Sequence, residues 1–349
     1  MVRVAVVGAS GYTGGELLRI LTNHEGVEVT VATSREHVGK PIHYVHYNLR
    51  GSYRGLRFAA ADADLIARDA DVAFLSLPHG VSIKYVPRLL EVGVRVVDLS
   101  ADFRLKDPEA YTAWYGFTHP YPDLLKRAVY GMPEIHRDEL RGADLVASPG
   151  CNATASILSL LPLAVGGVID LERVIVDVKV GSSEGGSKPS RSSHHPEREG
   201  GVRPYSAGGH RHSAEVEQEL SGVTGKPVKV SLTPHAVSSV RGALATGYGW
   251  VVRDVSDEDV FKLYLATYRG EPFVRVVHKV PPHHPNPKYV VGSNYADVGF
   301  ALEGRVGIVK GFAAIDNLVK GAAGQAVQAF NIAMGFSEVE GLKAPPLKP

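Results

Sequence analysis

The chain has 349 residues, 44% hydrophobic and 21% charged, with 38 basic and 37 acidic side chains. That is enough to bury one large core or two moderate ones, and the near-zero net charge argues against a general nucleic-acid binder or a polybasic membrane binder. A single cysteine excludes an intrachain disulfide and a cysteine-based zinc site, and no apolar run reaches the roughly 18 residues that span a bilayer.

The first residues read as a strand and not as a signal peptide, so the expected location is cytoplasmic. Residues 2–7 are a short apolar run closed by Gly8. Residues 13–22 follow with helical periodicity, with Leu17, Leu18, Ile20 and Leu21 on one side, and residues 27–33 are a second apolar run. Apolar strands without clean alternation suit a parallel sheet covered on both faces. The pattern repeats as a strand at 72–77, a helix at 81–90 and a strand at 94–99. A further strand at 145–148 runs into Pro149-Gly150-Cys151. Residues 1–150 are therefore expected to form an α/β unit, a doubly wound parallel sheet of Rossmann type.

Beyond Cys151 the expected elements are a helix at 153–163, a strand at 174–180, a helix at 213–220 and strands at 228–233, 243–252, 273–277, 289–291 and 295–302. A long Ala-rich helix at 315–335 and a Pro-rich tail at 341–349 close the chain. Mostly antiparallel strands with few helices predict a second, α+β domain. Between 181 and 212 apolar residues nearly vanish, and the mixture of Gly, Ser, His and Arg suits an active-site loop.

Gly8-Ala9-Ser10-Gly11-Tyr12-Thr13-Gly14 lies between the first strand and the first helix. Free amides and the positive dipole end of a helix start attract an anion, and the glycines let it approach the backbone, so the turn predicts a dinucleotide site. An NAD site usually has an acidic residue at the end of the second strand. Here Thr33-Ser34-Arg35-Glu36 offers a hydroxyl and a guanidinium, which suit the 2′-phosphate of NADP(H).

Cys151 lies between a strand and an apolar helix. A thiol at a helix start is biased towards thiolate, and the same amides can hold a developing oxyanion. On a nicotinamide fold this predicts a nucleophile that forms a thioester coupled to hydride transfer. The acid/base candidates are His210 and His212, which sequence does not separate. A flanking Arg211 disfavours a metal at that pair, and no metal is expected.

The segments Gly8–Gly14, Asp98–Arg104, Tyr130–Glu134, Ser148–Cys151, Gly209–His212, Thr233–His235 and Val240–Gly242 together resemble the N-acetyl-γ-glutamyl-phosphate reductases, relatives of aspartate-semialdehyde dehydrogenase. The resemblance runs from residue 1 to about 335. Asn152-Ala153-Thr154 after the cysteine, Ser192–Arg198 and Arg203-Pro204-Tyr205 depart from those enzymes and are similar to the LysY branch. Its members reduce an acyl phosphate of 2-aminoadipate, and in some archaea of glutamate, attached to the small acidic carrier protein LysW.

The resemblance implies an NADPH-dependent reductase of lysine biosynthesis, and of arginine biosynthesis where glutamyl phosphate is also a substrate, with a semialdehyde-dehydrogenase-like fold. Residues 1–150 and 315–349 would form the nucleotide domain, and 151–314 the catalytic and oligomerisation domain. It carries cofactor contacts onto Ser10, Gly11, Tyr12, Thr13, Ser34, Arg35, Glu36 and Asn317. Arg104, with Ser100 and Ser182, is a candidate clamp for the leaving phosphate, and Asn152 a candidate substrate contact. Lys188, Arg191 and Arg198 would receive the acidic carrier. A homodimer or homotetramer is expected, without nucleic acid or membrane. Two rival readings share these residues: a reductase of free acetylglutamyl or aspartyl phosphate, and a dinucleotide-binding redox sensor with a regulatory cysteine.

Overall fold

A computed structural model describes residues 1–279, 281 and 283–348, so Pro349 of the expected tail lies outside the described residues. In chain order the elements are β1 (Val2–Val7), α1 (Tyr12–Leu21), β2 (Val27–Thr33), β3 (Phe58–Ala59), α2 (Ala63–Asp69), β4 (Val72–Leu75), α3 (Val86–Glu91), β5 (Arg95–Asp98), α4 (Pro108–Tyr115), α5 (Pro122–Arg127), β6 (Val129–Tyr130), α6 (Pro133–Leu140), β7 (Leu145–Ala147), α7 (Cys151–Val165), β8 (Val174–Val180), α8 (His195–Arg198), β9 (Val202–Pro204) and α9 (His212–Thr224). There follow β10 (Val230–Val237), β11 (Ala243–Trp250), α10 (Asp257–Thr267), β12 (Val274–Val276), β13 (Ala296–Glu303), β14 (Ile308–Ile315) and α11 (Gly324–Met334).

The chain divides into two compact units. The first comprises Met1–Pro108, His119–Pro149 and Ala322–Ala344; the second comprises Glu109–Thr118, Gly150–Gly321 and the residues from Pro345 on. The C-terminal return to the first unit thus begins at Ala322, seven residues later than the motif pattern suggests, and Asn317 belongs to the second unit.

In the first unit the sheet order is β3-β2-β1-β4-β5-β7-β6, and every pairing is parallel. The order reverses between β1 and β4, which makes the ends of these strands the switch point of a doubly wound sheet. Helix α1 packs against α11, and α2 against α3. The four inner residues of β1, Val4–Val7, and all four of β4 are buried, which is why these strands read as unbroken apolar runs.

In the second unit the order is β12-β13-β14-β11-β8-β10-β9. This sheet is mixed: β8–β10 and β12–β13 are parallel, the other pairs antiparallel. Helix α7 packs on β11 and β14. Along β11 the residues Ala243, Ala245, Gly247 and Gly249 are buried while Leu244, Thr246, Tyr248 and Trp250 alternate with them, half-buried. That period of two marks one face against α7 and one open face.

Four expectations change. Residues 289–291 are not a strand; Pro287–Tyr289 is a short 3-10 turn opened by the Asn286 side chain. The helix expected at 315–335 starts only at Gly324, because β14 runs through Ile315 and a π-helical turn covers Val319–Ala323. The helix expected at 81–90 is a 3-10 turn and then α3, with Pro87 in its first turn, where a missing amide costs nothing. The loop at 181–212 contains α8 and β9, which pairs with β10.

Candidate active site

The glycine-rich turn sits at the switch point of the first sheet. Gly8 has φ +80°, and a Cβ there would collide with the carbonyl oxygen of Ser76 just past β4, so only glycine fits. Gly8 donates to Oγ1 of Thr33 at 3.1 Å and Ala9 to its carbonyl at 2.8 Å, which ties the turn to the end of β2. Gly11 is the N-cap of α1 and supplies no side-chain cap, so the amides of the first helical turn point outward for an anion.

The end of β2 adds hydroxyls. Ser34 is buried, and its Oγ accepts from the amides of Glu36 and His37 at 3.3 and 3.2 Å. Oγ of Ser10 lies 2.9 Å from it. With Ser34 accepting twice, its own proton goes to Ser10, whose proton is then available outward. Arg35 and Glu36 are exposed beside this pair. The turn therefore groups Ser10, Gly11, Tyr12, Thr13, Ser34, Arg35 and Glu36. Outward amides, an outward hydroxyl and a nearby guanidinium fit a phosphorylated dinucleotide.

Arg104 is buried, also in the first unit. Its Nε donates to the carbonyl of Ser148 at 2.7 Å and one terminal nitrogen to Leu99 at 3.0 Å. Two of its donors therefore hold backbone and fix the ends of β5 and β7. Ser100 is likewise internal: its Oγ donates to Asp98 at 2.7 Å and accepts from the amide of Asp102 at 3.1 Å. Burial, then the neighbouring Asp102 carboxylate, pushes the Asp98 carboxyl up to about 6.

In the second unit Gly150 is the N-cap of α7, and Cys151, half-buried, is its first residue. The Gly150 amide donates to Oε2 of Glu215 at 3.0 Å. Glu215 is fully buried on α9, and its Oε1 lies 3.7 Å from Nε2 of His212, three residues earlier on the same helix. The His212 imidazole covers the α-carbon of Gly150: a Cβ there would stand 2.6 Å from its Cε1.

His210 sits behind His212. Its Nδ1 accepts from the His212 amide at 3.1 Å, and the two rings meet edge to face at 4.5 Å. Burial, then the charge of Arg211, pulls the His210 imidazole down to about 4. The Tyr205 ring packs edge-on against His210, and its phenol accepts from Nδ2 of Asn152 at 3.4 Å. Burial pushes that phenol well above the usual tyrosine range. Oδ1 of Asn152 lies 3.7 Å from the Cys151 sulfur. Cys151, Asn152, His210 and His212 are thus brought together.

The other expected site residues lie in the second unit. Ser182 is half-buried, and its amide bonds the Ser239 carbonyl at 2.8 Å. Asn317 is buried with both ends of its amide engaged, accepting from Gly242 at 2.8 Å and donating to Ser183 at 2.9 Å. Lys188 and Arg191 are exposed. Arg198 is not a surface cation: it is buried, donates to the carbonyls of Val237 and Val180 at 2.8 and 3.2 Å, and lies 3.6 Å from Glu184. It pins α8 to the ends of β10 and β8.

Sequence reading left Glu215 and Tyr205 without roles. The spacing of His212 and Glu215, three apart on a helix, could have paired those two on one face. Nothing local foretells the Tyr205–Asn152 contact. Among the described residues no group of His, Cys, Asp and Glu is arranged to hold a metal ion, and no helix is long and apolar enough to cross a membrane.

A doubly wound dinucleotide sheet joined to a mixed sheet whose first helix opens on a cysteine defines the semialdehyde dehydrogenase class of oxidoreductases. Residues 3–143 match the semialdehyde dehydrogenase NAD binding domain and residues 151–317 the semialdehyde dehydrogenase dimerisation domain, so the chain takes a nicotinamide cofactor. Solved aspartate-semialdehyde dehydrogenases share the fold: enzyme II of Vibrio cholerae with TM-score 0.71 at 17% identity over 96% of this chain and 98% of that one, and the Candida albicans enzyme with 0.70 at 16% over 96% and 98%. Much nearer in sequence are proteins named [LysW]-L-2-aminoadipate/[LysW]-L-glutamate phosphate reductase. That of Sulfolobus acidocaldarius is 61% identical over all of both chains, and that of Saccharolobus solfataricus 57% identical over 100% of this chain and 99% of the relative. The chain belongs to the semialdehyde dehydrogenase family, in the group of proteins that carry this phosphate reductase name.

Proposed function

We propose that the chain reduces carrier-bound 2-aminoadipyl phosphate, and carrier-bound glutamyl phosphate, to the semialdehyde with release of phosphate, as a cytoplasmic step of lysine and arginine biosynthesis. The observation that carries the reading is the cluster at the start of α7: Cys151 at the helix N-terminus, His212 over Gly150, and Glu215 holding both.

The helix start favours the Cys151 thiolate. It attacks the acyl carbon, the bond from that carbon to the phosphate oxygen breaks, and phosphate leaves with the electron pair. NADPH, when bound, supplies the hydride that reduces the thioester carbon. His212 is the acid/base. It holds a proton at Nε2, gives it to the oxyanion of the resulting hemithioacetal, and takes it back as the C–S bond breaks and the aldehyde departs. Glu215 stabilises the charged imidazole. His210, held neutral, orients the amide of His212 and is no proton source near neutral pH.

NADPH is favoured over NADH by Ser34 and the exposed Arg35 at the end of β2, where no carboxylate is buried to hold a ribose hydroxyl. The relatives' names supply the carrier, and exposed Lys188 and Arg191 are its proposed contacts. The open face of β11, with Leu244, Tyr248 and Trp250, suits a second copy of the chain; Tyr248→Glu should move the sedimentation coefficient towards a monomer.

The test is turnover of LysW-bound aminoadipyl and glutamyl phosphates, side by side with free N-acetylglutamyl phosphate. Carrier-bound turnover that vanishes in Cys151→Ala, with NADPH affinity retained, is expected. Efficient turnover of the free substrate alone would select the free-substrate reductase. NADPH binding without turnover of any substrate would select a redox sensor.

A further inference from the structure

Between β2 and β3 the chain makes an excursion, residues 34–57, that folds back over α1. Its anchors are inside the first unit: Tyr53 Oη donates to the Leu18 carbonyl at 2.5 Å, and Phe58 exchanges backbone bonds with Gly39 and Lys40 at 2.7 and 2.9 Å. At the inner bend of this excursion His46 reaches the glycine-rich turn. Its Nε2 lies 2.7 Å from the carbonyl oxygen of Ala9. A carbonyl can only accept, so Nε2 carries the proton.

The imidazole lies against the α-carbon of Gly15. A Cβ on Gly15 would stand 2.5 Å from Cε1 and 2.7 Å from Nδ1 of His46, both part of a ring hemmed in by Phe58 at 6.4 Å between centroids. Gly15 is in ordinary helix, so its backbone does not call for glycine. The imidazole does.

The consequence runs through the peptide plane. In a trans peptide the C=O and N–H point to opposite sides. The Ala9 carbonyl is turned towards His46, so the amide of Ser10, the other end of the same peptide, faces away from it. That amide donates to no acceptor among the described residues. It lies between Gly8 and the first amides of α1, where an anion would be held.

We propose that His46 is a positioning residue for the cofactor: by holding the Ala9 carbonyl it aims the Ser10 amide at the pyrophosphate, with Gly15 as the space it needs. This rests on the reading that the glycine-rich turn holds the dinucleotide. Burial holds the imidazole below its ordinary range, against the opposing pull of the Ala9 carbonyl and Glu16, so the group acts as a neutral donor.

The experiment is calorimetric binding of four probes to the full chain: NADPH, NADH, ADP-ribose and 2′-AMP. The first three contain the pyrophosphate and the last does not. His46→Leu should weaken NADPH, NADH and ADP-ribose about tenfold alike, the worth of one aimed amide, and leave 2′-AMP within about twofold. His46→Gln, whose amide can donate at a similar reach, should stay within about threefold of the wild type for every probe. Gly15→Ala should lose as much as His46→Leu, and Gly15→Ala combined with His46→Ala no more than either alone. In turnover the loss should fall on KM for NADPH and not on kcat. Unchanged ADP-ribose binding by His46→Leu, an equal loss of 2′-AMP, or a His46→Gln loss as large as that of His46→Leu would each overturn the assignment. A wild-type chain that binds 2′-AMP as tightly as NADPH would instead overturn the placement of the dinucleotide on this turn.

Discussion

The imidazole of His212 occupies the space that a side chain at Gly150 would fill. Gly150 has φ −74° and ψ 148°, which any residue adopts, so its requirement for glycine is steric and comes from His212 alone. Gly150→Ala should therefore fold, and should displace the imidazole from the nucleophile's helix start. A fall in kcat of about 10²-fold or more is expected, comparable to His212→Asn. His210→Asn, which preserves an acceptor for the His212 amide, should cost less than about tenfold. Single-turnover kinetics of aldehyde formation check all three. A His210 variant as damaged as the His212 variant would reverse their roles.

Cofactor choice is tested at Arg35. Arg35→Ala should raise KM for NADPH roughly 10–100-fold and leave KM for NADH nearly unchanged, since a charge-assisted bond to a phosphate contributes about 1.5–3 kcal/mol. Initial rates with both cofactors decide it. Equal effects on the two would make Arg35 an ordinary surface charge.

The basic segment separates into two kinds of arginine. Lys188→Ala with Arg191→Ala should slow capture of carrier-bound substrate, measured as kcat/KM, with little change in melting temperature. Higher salt should mimic the loss in the wild type, because exposed charges steer association and are screened. Arg198→Ala should act oppositely. It strands the carbonyls of Val180 and Val237 and leaves Glu184 half-buried without its cation, at a cost of about 2–4 kcal/mol. Its melting temperature should drop by about 3–5 °C.

His210 predicts an acid-sensitive fold. Its native pKa, about 4, lies below the unfolded value of 6.5. A depressed histidine contributes stability that is fully present above pH 6.5 and is lost as pH falls towards 4, about 3 kcal/mol in all. Thermal unfolding of the wild type should weaken over that window, and His210→Asn should flatten the acid limb. Parallel pH profiles for the two would rule His210 out as the cause.

Where a site is built from consecutive residues, the chain declares it. The strand Val2–Val7, the turn from Gly8 and the helix from Tyr12 form one local unit, and so do Gly150, Cys151 and α7. Burial periodicity and glycine placement within about ten residues suffice to read them, and with them the dinucleotide fold and the cysteine at a helix start. What sequence alone left open depends on residues far apart in the chain. His210 and His212 look alike in the sequence. Their partners distinguish them: α9 sets His212 against Gly150, 62 positions earlier, while His210 packs against Tyr205. Arg198 reads as a loop cation until β8 and β10 present it with carbonyls. His46 reads as one histidine among fifteen until the excursion after β2 folds it onto Gly15 and Ala9. A side chain's burial and hydrogen-bond partners set its charge and its freedom, and those partners are chosen by long-range packing that no local pattern encodes.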